Sequence, residues 1–111
     1  MTHNFYGDWL DLGPLEQIPL RGARTVPVVG GEEIAVFRTG DNRVYALVNR
    51  CPHKGGPLAE GMLAGDAVVC PLHAFRFEFA TGECDQPGTC PVGTYTVTQE
   101  GSDIYIAIPA S

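Results

Sequence analysis

The chain has 111 residues and a formal net charge of −6, with 13 acidic against 7 basic side chains. That length fits one compact domain and leaves no room for a second, catalytic one. The acidic balance excludes nucleic acid as the main partner, because phosphate binding needs a basic face. Hydrophobic residues at 44% and charged residues at 18% argue against a disordered tail or a membrane protein, and 14 Gly with 9 Pro imply many turns joining short strands.

The opening Met1-Thr2-His3-Asn4 lacks a basic segment followed by an apolar one, and no later stretch approaches the ~20 apolar residues that span a bilayer. The expectation is a cytoplasmic protein with no membrane contact, whose four cysteines serve as metal ligands or free thiols rather than as a disulfide frame. His3 is expected in a frayed terminus, not as a ligand, and Trp9 as a core anchor. Gly13-Pro14-Leu15-Glu16-Gln17-Ile18 lies between prolines, which predicts at most one helical turn. Period-two alternation or β-branched enrichment then predicts strands over residues 23–29, 33–39, 43–49, 67–70, 75–79, 94–98 and 103–108. Turn residues separate several of them, at Gly30-Gly31, Gly40-Asp41-Asn42, Thr81-Gly82 and Gly101-Ser102. About seven short strands describe an all-β fold, an antiparallel sandwich or partly open barrel. Residues 50–65 and 83–92 break the strand rhythm. The first of these holds half of the cysteine and histidine set and reads as a functional loop.

The chemistry is concentrated in Cys51-Pro52-His53 and, after sixteen intervening residues, Cys70-Pro71-Leu72-His73. Each half offers one thiolate and one imidazole. Two loops of this kind can place both sulfurs on one iron and both nitrogens on the other, which is the ligation of a Rieske [2Fe–2S] centre. With two ferric ions and two sulfides, two thiolates give a neutral centre, whereas four would leave two negative charges; the neutral centre accepts an electron more readily. Each histidine binds iron through one ring nitrogen and keeps the other titratable, so the potential should fall as pH rises. A structural zinc site also uses two cysteines and two histidines, but its usual spacing pairs Cys with Cys and His with His. The alternating order here favours iron and sulfide, and chance placement of buried cysteines and satisfied histidines is the weakest account.

On these residues the sequence resembles the Rieske iron–sulfur family over residues 9–108. The resemblance implies an antiparallel β base bearing a smaller cluster-binding subdomain at about residues 50–76. It also implies one cluster held by Cys51, His53, Cys70 and His73. Membrane respiratory members carry an additional cysteine in each loop, joined as a disulfide; Gly56 and Leu72 stand there in this chain, so no such brace forms. Those members also place a Ser and a Tyr where this chain has Phe75 and Phe77, which implies a potential at the low end of the Rieske range. Gly55-Gly56-Pro57 is read as a close backbone turn around the sulfides, and Pro52 and Pro71 as loop stiffeners. Arg50, Lys54 and Arg76 place positive charge beside the loops, either as a docking face or as a solvated rim. Cys84 and Cys90 are expected to be free thiols.

Among soluble members, the context resembles the small subunit of assimilatory NAD(P)H-dependent nitrite reductase. The stretches carrying this likeness include Ile34-Ala35-Val36-Phe37-Arg38-Thr39 and Asn49-Arg50-Cys51-Pro52-His53-Lys54-Gly55-Gly56-Pro57. Ala74-Phe75 departs from the Asn-Trp of many members. This likeness implies a large flavin and sirohaem subunit as partner, with this chain transferring electrons during reduction of nitrite to ammonium. The alternative is a free-standing Rieske ferredoxin that carries electrons from a flavoprotein reductase to an aromatic-ring hydroxylating dioxygenase. No dinucleotide-binding glycine fingerprint, P-loop or nucleophile elbow occurs, so substrate chemistry belongs to a partner.

Overall fold

Because side chains alternate across a strand, a strand can serve two cores at once, and the central strand of this protein does so. The computed structural model describes residues 4–6, 9–28, 32–52, 55–72, 74–89 and 91–107. His3, the Gly30-Gly31 turn, His53, Lys54, His73, Cys90 and the ends of two predicted strands, Val29 and Ile108, lie outside them.

In chain order the strands are β1 (Asn4–Tyr6), β2 (Trp9–Pro14), β3 (Gly22–Val26), β4 (Ile34–Arg38), β5 (Val44–Val48) and β6 (Met62–Ala64). They continue with β7 (Ala67–Val69), β8 (Arg76–Glu78), β9 (Thr94–Tyr95), β10 (Val97–Glu100) and β11 (Asp103–Ala107). All pairings are antiparallel and make three sheets, ordered β1-β2-β11-β10, β3-β4-β5-β9 and β6-β7-β8. Short 3₁₀ turns occur at Leu15–Gln17 and Leu58–Glu60.

Ile34 and Val36 of β4 pack with Leu10, Leu12, Ile104 and Ile106 of the first sheet. Ala35 and Phe37, on the opposite face, pack with Leu58, Val68 and Phe77 beside the third sheet. Covered on both faces, β4 reads as a continuous apolar run. β5 divides its side chains in the same way, Ala46 into the first core and Leu47 into the second. Phe79, just after β8, ties the third sheet to this middle layer. Its ring stacks on Tyr45 at 5.1 Å between centroids and meets Phe37 at 5.0 Å.

The all-β expectation is met, with eleven strands among the described residues where about seven were expected. Residues 13–14 end β2, and the single helical turn expected after them forms as a 3₁₀ turn at Leu15–Gln17. Residues 94–98 are two strands and not one. The chain breaks at Thr96, leaving β5 of the second sheet for β11 of the first, and the Thr96 carbonyl accepts the Ala107 amide at 2.9 Å. β6 lies inside the segment read as a loop.

Candidate metal centre

The loop that follows β5 and the loop between β7 and β8 have the same hydrogen-bonded form. In the first, the Cys51 amide donates to the Gly56 carbonyl at 2.8 Å and the Gly55 amide donates back to the Cys51 carbonyl at 2.7 Å. In the second, the Cys70 amide donates to the Phe75 carbonyl at 2.8 Å and the Ala74 amide to the Cys70 carbonyl at 3.0 Å. The residue four places after each cysteine is left-handed, at φ 76° for Gly55 and 58° for Ala74. Glycine adopts that conformation freely, whereas an alanine there is strained. The sequence repeat Cys-Pro therefore marks a repeat of backbone shape.

This shape turns both thiols inward. Cys51 and Cys70 are 1% and 2% exposed, lie in the same apolar core and are not in a disulfide. The other two predicted ligands, His53 and His73, lie outside the described residues, within these same loops. Among the described residues no three metal-ligating side chains converge. Two buried thiols held on matching loops, each loop also bearing a histidine, fit a cluster with mixed thiolate and imidazole ligation. Phe77 is fully buried in the core.

Asn49 anchors the first loop. Its Nδ2 donates to Glu33 Oε1 at 2.7 Å and its Oδ1 accepts the Ala59 amide at 2.7 Å, while its backbone amide donates to the Glu33 carbonyl at 2.8 Å. One side chain thus joins the stretch ahead of Cys51 to both the base and the 3₁₀ turn at Leu58–Glu60. The second loop is steadied at β8, where Arg76 and Asp85 exchange bonds. The Arg76 amide donates to Asp85 Oδ1 at 3.1 Å and the Asp85 amide to the Arg76 carbonyl at 3.0 Å. Arg50 forms an exposed ion pair with Glu32 at 3.7 Å, which contributes little to stability. Cys84 is half-buried against the core and outside any disulfide, accepting the Gln86 amide on its sulfur at 3.4 Å. Around the loop tips Pro52, Gly55, Pro71, Leu72 and Ala74 are exposed and uncharged.

Residues 8–96 match the model of the Rieske [2Fe–2S] domain. The chain belongs to the Rieske [2Fe–2S] family. Its cofactor is accordingly a Rieske-type [2Fe–2S] cluster and its chemistry is electron transfer. The Rieske chain is 46% identical over 78 residues to the 3-phenylpropionate/cinnamic acid dioxygenase ferredoxin subunit of Shigella boydii, covering 68% of this chain and 73% of that protein. It superposes on the ferredoxin of carbazole 1,9a-dioxygenase from Nocardioides aromaticivorans with a TM-score of 0.82 at 31% identity, covering 93% of this chain and 100% of that one. A Mycobacterium tuberculosis protein assigned as the small subunit of an NADH-dependent nitrite reductase gives a TM-score of 0.83 over 100% of both chains, at 21% identity. Among the described residues no helix is long and apolar enough to cross a membrane.

Proposed function

We propose that this Rieske protein is a cytoplasmic ferredoxin that takes electrons from a flavoprotein reductase and delivers them to an aromatic-ring hydroxylating dioxygenase. The observation that carries this reading is the 46% identity to a dioxygenase ferredoxin subunit. The nitrite reductase small subunit, the first expectation from sequence, is the weaker reading, because a likeness at 21% identity speaks to the fold alone.

In this account the chain is one domain, residues 50–76 are its cluster-binding part, and Cys51, His53, Cys70 and His73 are the ligands. When bound, the cluster accepts and releases a single electron. The protein's own contribution is to place the two buried cysteines on paired loops and to keep water from their sulfurs with Leu58, Val68 and Phe77. Pro52, Pro71 and Leu72, exposed and uncharged, offer a partner apolar contact area beside the cluster loops. Arg50, Lys54 and Arg76, next to the cluster loops in sequence, steer an acidic partner.

The test is replacement of the Shigella boydii ferredoxin subunit by this holoprotein in a reconstituted 3-phenylpropionate dioxygenase assay. Substrate-dependent NADH consumption with hydroxylated product is expected. Isolation from its native cells in a tight complex with a sirohaem protein, together with electron delivery to nitrite and none to the dioxygenase, would overturn the proposal.

A further inference from the structure

The two loops are each closed by their own hydrogen bonds, Cys51 with Gly56 and Cys70 with Phe75. Those bonds fix the form of each loop but not the gap between them. The Leu72 side chain crosses that gap. Leu72, at the tip of the second loop, lies against Gly56 of the first, so closely that a Cβ built on Gly56 would stand 2.8 Å from Leu72 Cδ1 and 2.9 Å from Leu72 Cγ.

Gly56 differs from its neighbour in what its lack of a side chain provides. Gly55 is left-handed at φ 76°, a conformation that glycine adopts without strain. Gly56 is not left-handed; it is buried, and what it supplies is the space that Leu72 occupies. Leu72 itself is 52% exposed. Half-exposed, it adds little to the main core, so its contact acts locally. Gly56 also supplies the carbonyl that accepts the Cys51 amide, so the leucine is seated on the residue that closes the cysteine loop.

We propose that Leu72 and Gly56 form a non-covalent latch that holds the two cluster loops together and limits access of water and chelators to the cluster. Leu72 is a positioning residue: it works by holding the loops. The inference rests on the reading of Cys51 and Cys70 as ligands. Leu72→Ala opens the latch by removing the contact, and Gly56→Ala opens it by wedging Leu72 away. In the double variant the methyl at position 56 meets no leucine, and the wedge disappears.

The test follows loss of the visible cluster absorbance from anaerobic, oxidised holoprotein in excess EDTA. Each single variant should lose its cluster about tenfold faster than the wild type, the size expected when a half-buried leucine gives up its buried surface. The double variant should be no faster than either single one, a strongly non-additive result for residues in contact. Leu72→Met, which keeps an apolar side chain of similar reach, should retain the cluster nearly as well as leucine. Amide exchange should rise at Gly55 and Ala74 in Leu72→Ala and stay unchanged in β2 and β11 of the distant sheet. A Leu72→Ala protein that keeps its cluster as long as the wild type would overturn the latch, as would single-variant effects that simply multiply in the double. A wild type that assembles no iron–sulfur cluster at all would instead refute the site reading beneath the latch, and the latch with it.

Discussion

Replacing Asn49 by alanine removes two side-chain hydrogen bonds whose consequences differ. The Nδ2 bond runs to the exposed Glu33 carboxylate, where water can replace it. The Oδ1 bond satisfies the Ala59 amide in a partly buried position, where nothing in the 3₁₀ turn can substitute for it. Leaving a buried donor unpaired costs about 1–3 kcal/mol, so the loss should be about 2 kcal/mol. For a domain of this size that lowers the apparent melting temperature by about 10 °C. Asn49→Asp keeps the acceptor for Ala59 and sets a like charge beside Glu33, so it should cost about half as much. Anaerobic differential scanning of the holoproteins measures both. A fall under about 2 °C for Asn49→Ala, or an aspartate worse than the alanine, would refute the reasoning that the Ala59 bond is the one that matters.

Other expectations follow from backbone geometry and burial. Gly82 has φ 76°, and a side chain there would run into the Val92 carbonyl, whereas Gly88 at φ 80° has open space around it. Gly82→Ala should therefore destabilise by about 3 kcal/mol or more and Gly88→Ala by only about 1 kcal/mol, compared by the same calorimetry. Ala74, left-handed at φ 58°, should accept glycine with no loss or a gain of up to about 1 kcal/mol, whereas an ordinary Ala→Gly change weakens a protein. Burial, with a smaller contribution from the Glu32 charge, raises the Tyr95 pKa above its ordinary value. The neutral phenol's contribution to stability is then complete below about pH 10 and is lost as pH rises through the folded-state pKa. Tyr95→Phe should accordingly track the wild type up to about pH 10 and lose less stability above it; parallel melting curves beyond that point would contradict the assignment. Cys51→Ser should abolish iron and sulfide uptake, read by elemental analysis, because a neutral hydroxyl replaces a thiolate ligand.

The strands that were legible in the sequence are those whose periodicity is uninterrupted, such as β5 and β11. β2 was hidden because Gly13 and Pro14 at its end resemble a helix entry, and its pairing with β11 is made by residues at the far end of the chain. β6 is three residues long and flanked by Gly61 and Gly65, so only its partner β7 identifies it as a strand. At the site, Cys51 and Cys70 announced themselves by spacing, because metal ligation demands particular residue types. Asn49 did not, since a single polar residue has no spacing signature and its partners Glu33 and Ala59 meet it only in the folded chain. Leu72 and Gly56 were recognised as positions without a disulfide. The packing contact that joins them depends on the approach of two loops, which no local pattern encodes.

The most direct test of the central claim is electron paramagnetic resonance of the anaerobically purified, dithionite-reduced protein, with iron and acid-labile sulfide measured on the same sample. The account predicts two irons and two sulfides per chain and a rhombic signal showing hyperfine coupling to histidine nitrogen, as mixed thiolate and imidazole ligation requires. A protein purified with zinc and no such signal, or a cluster signal without nitrogen coupling, would contradict it.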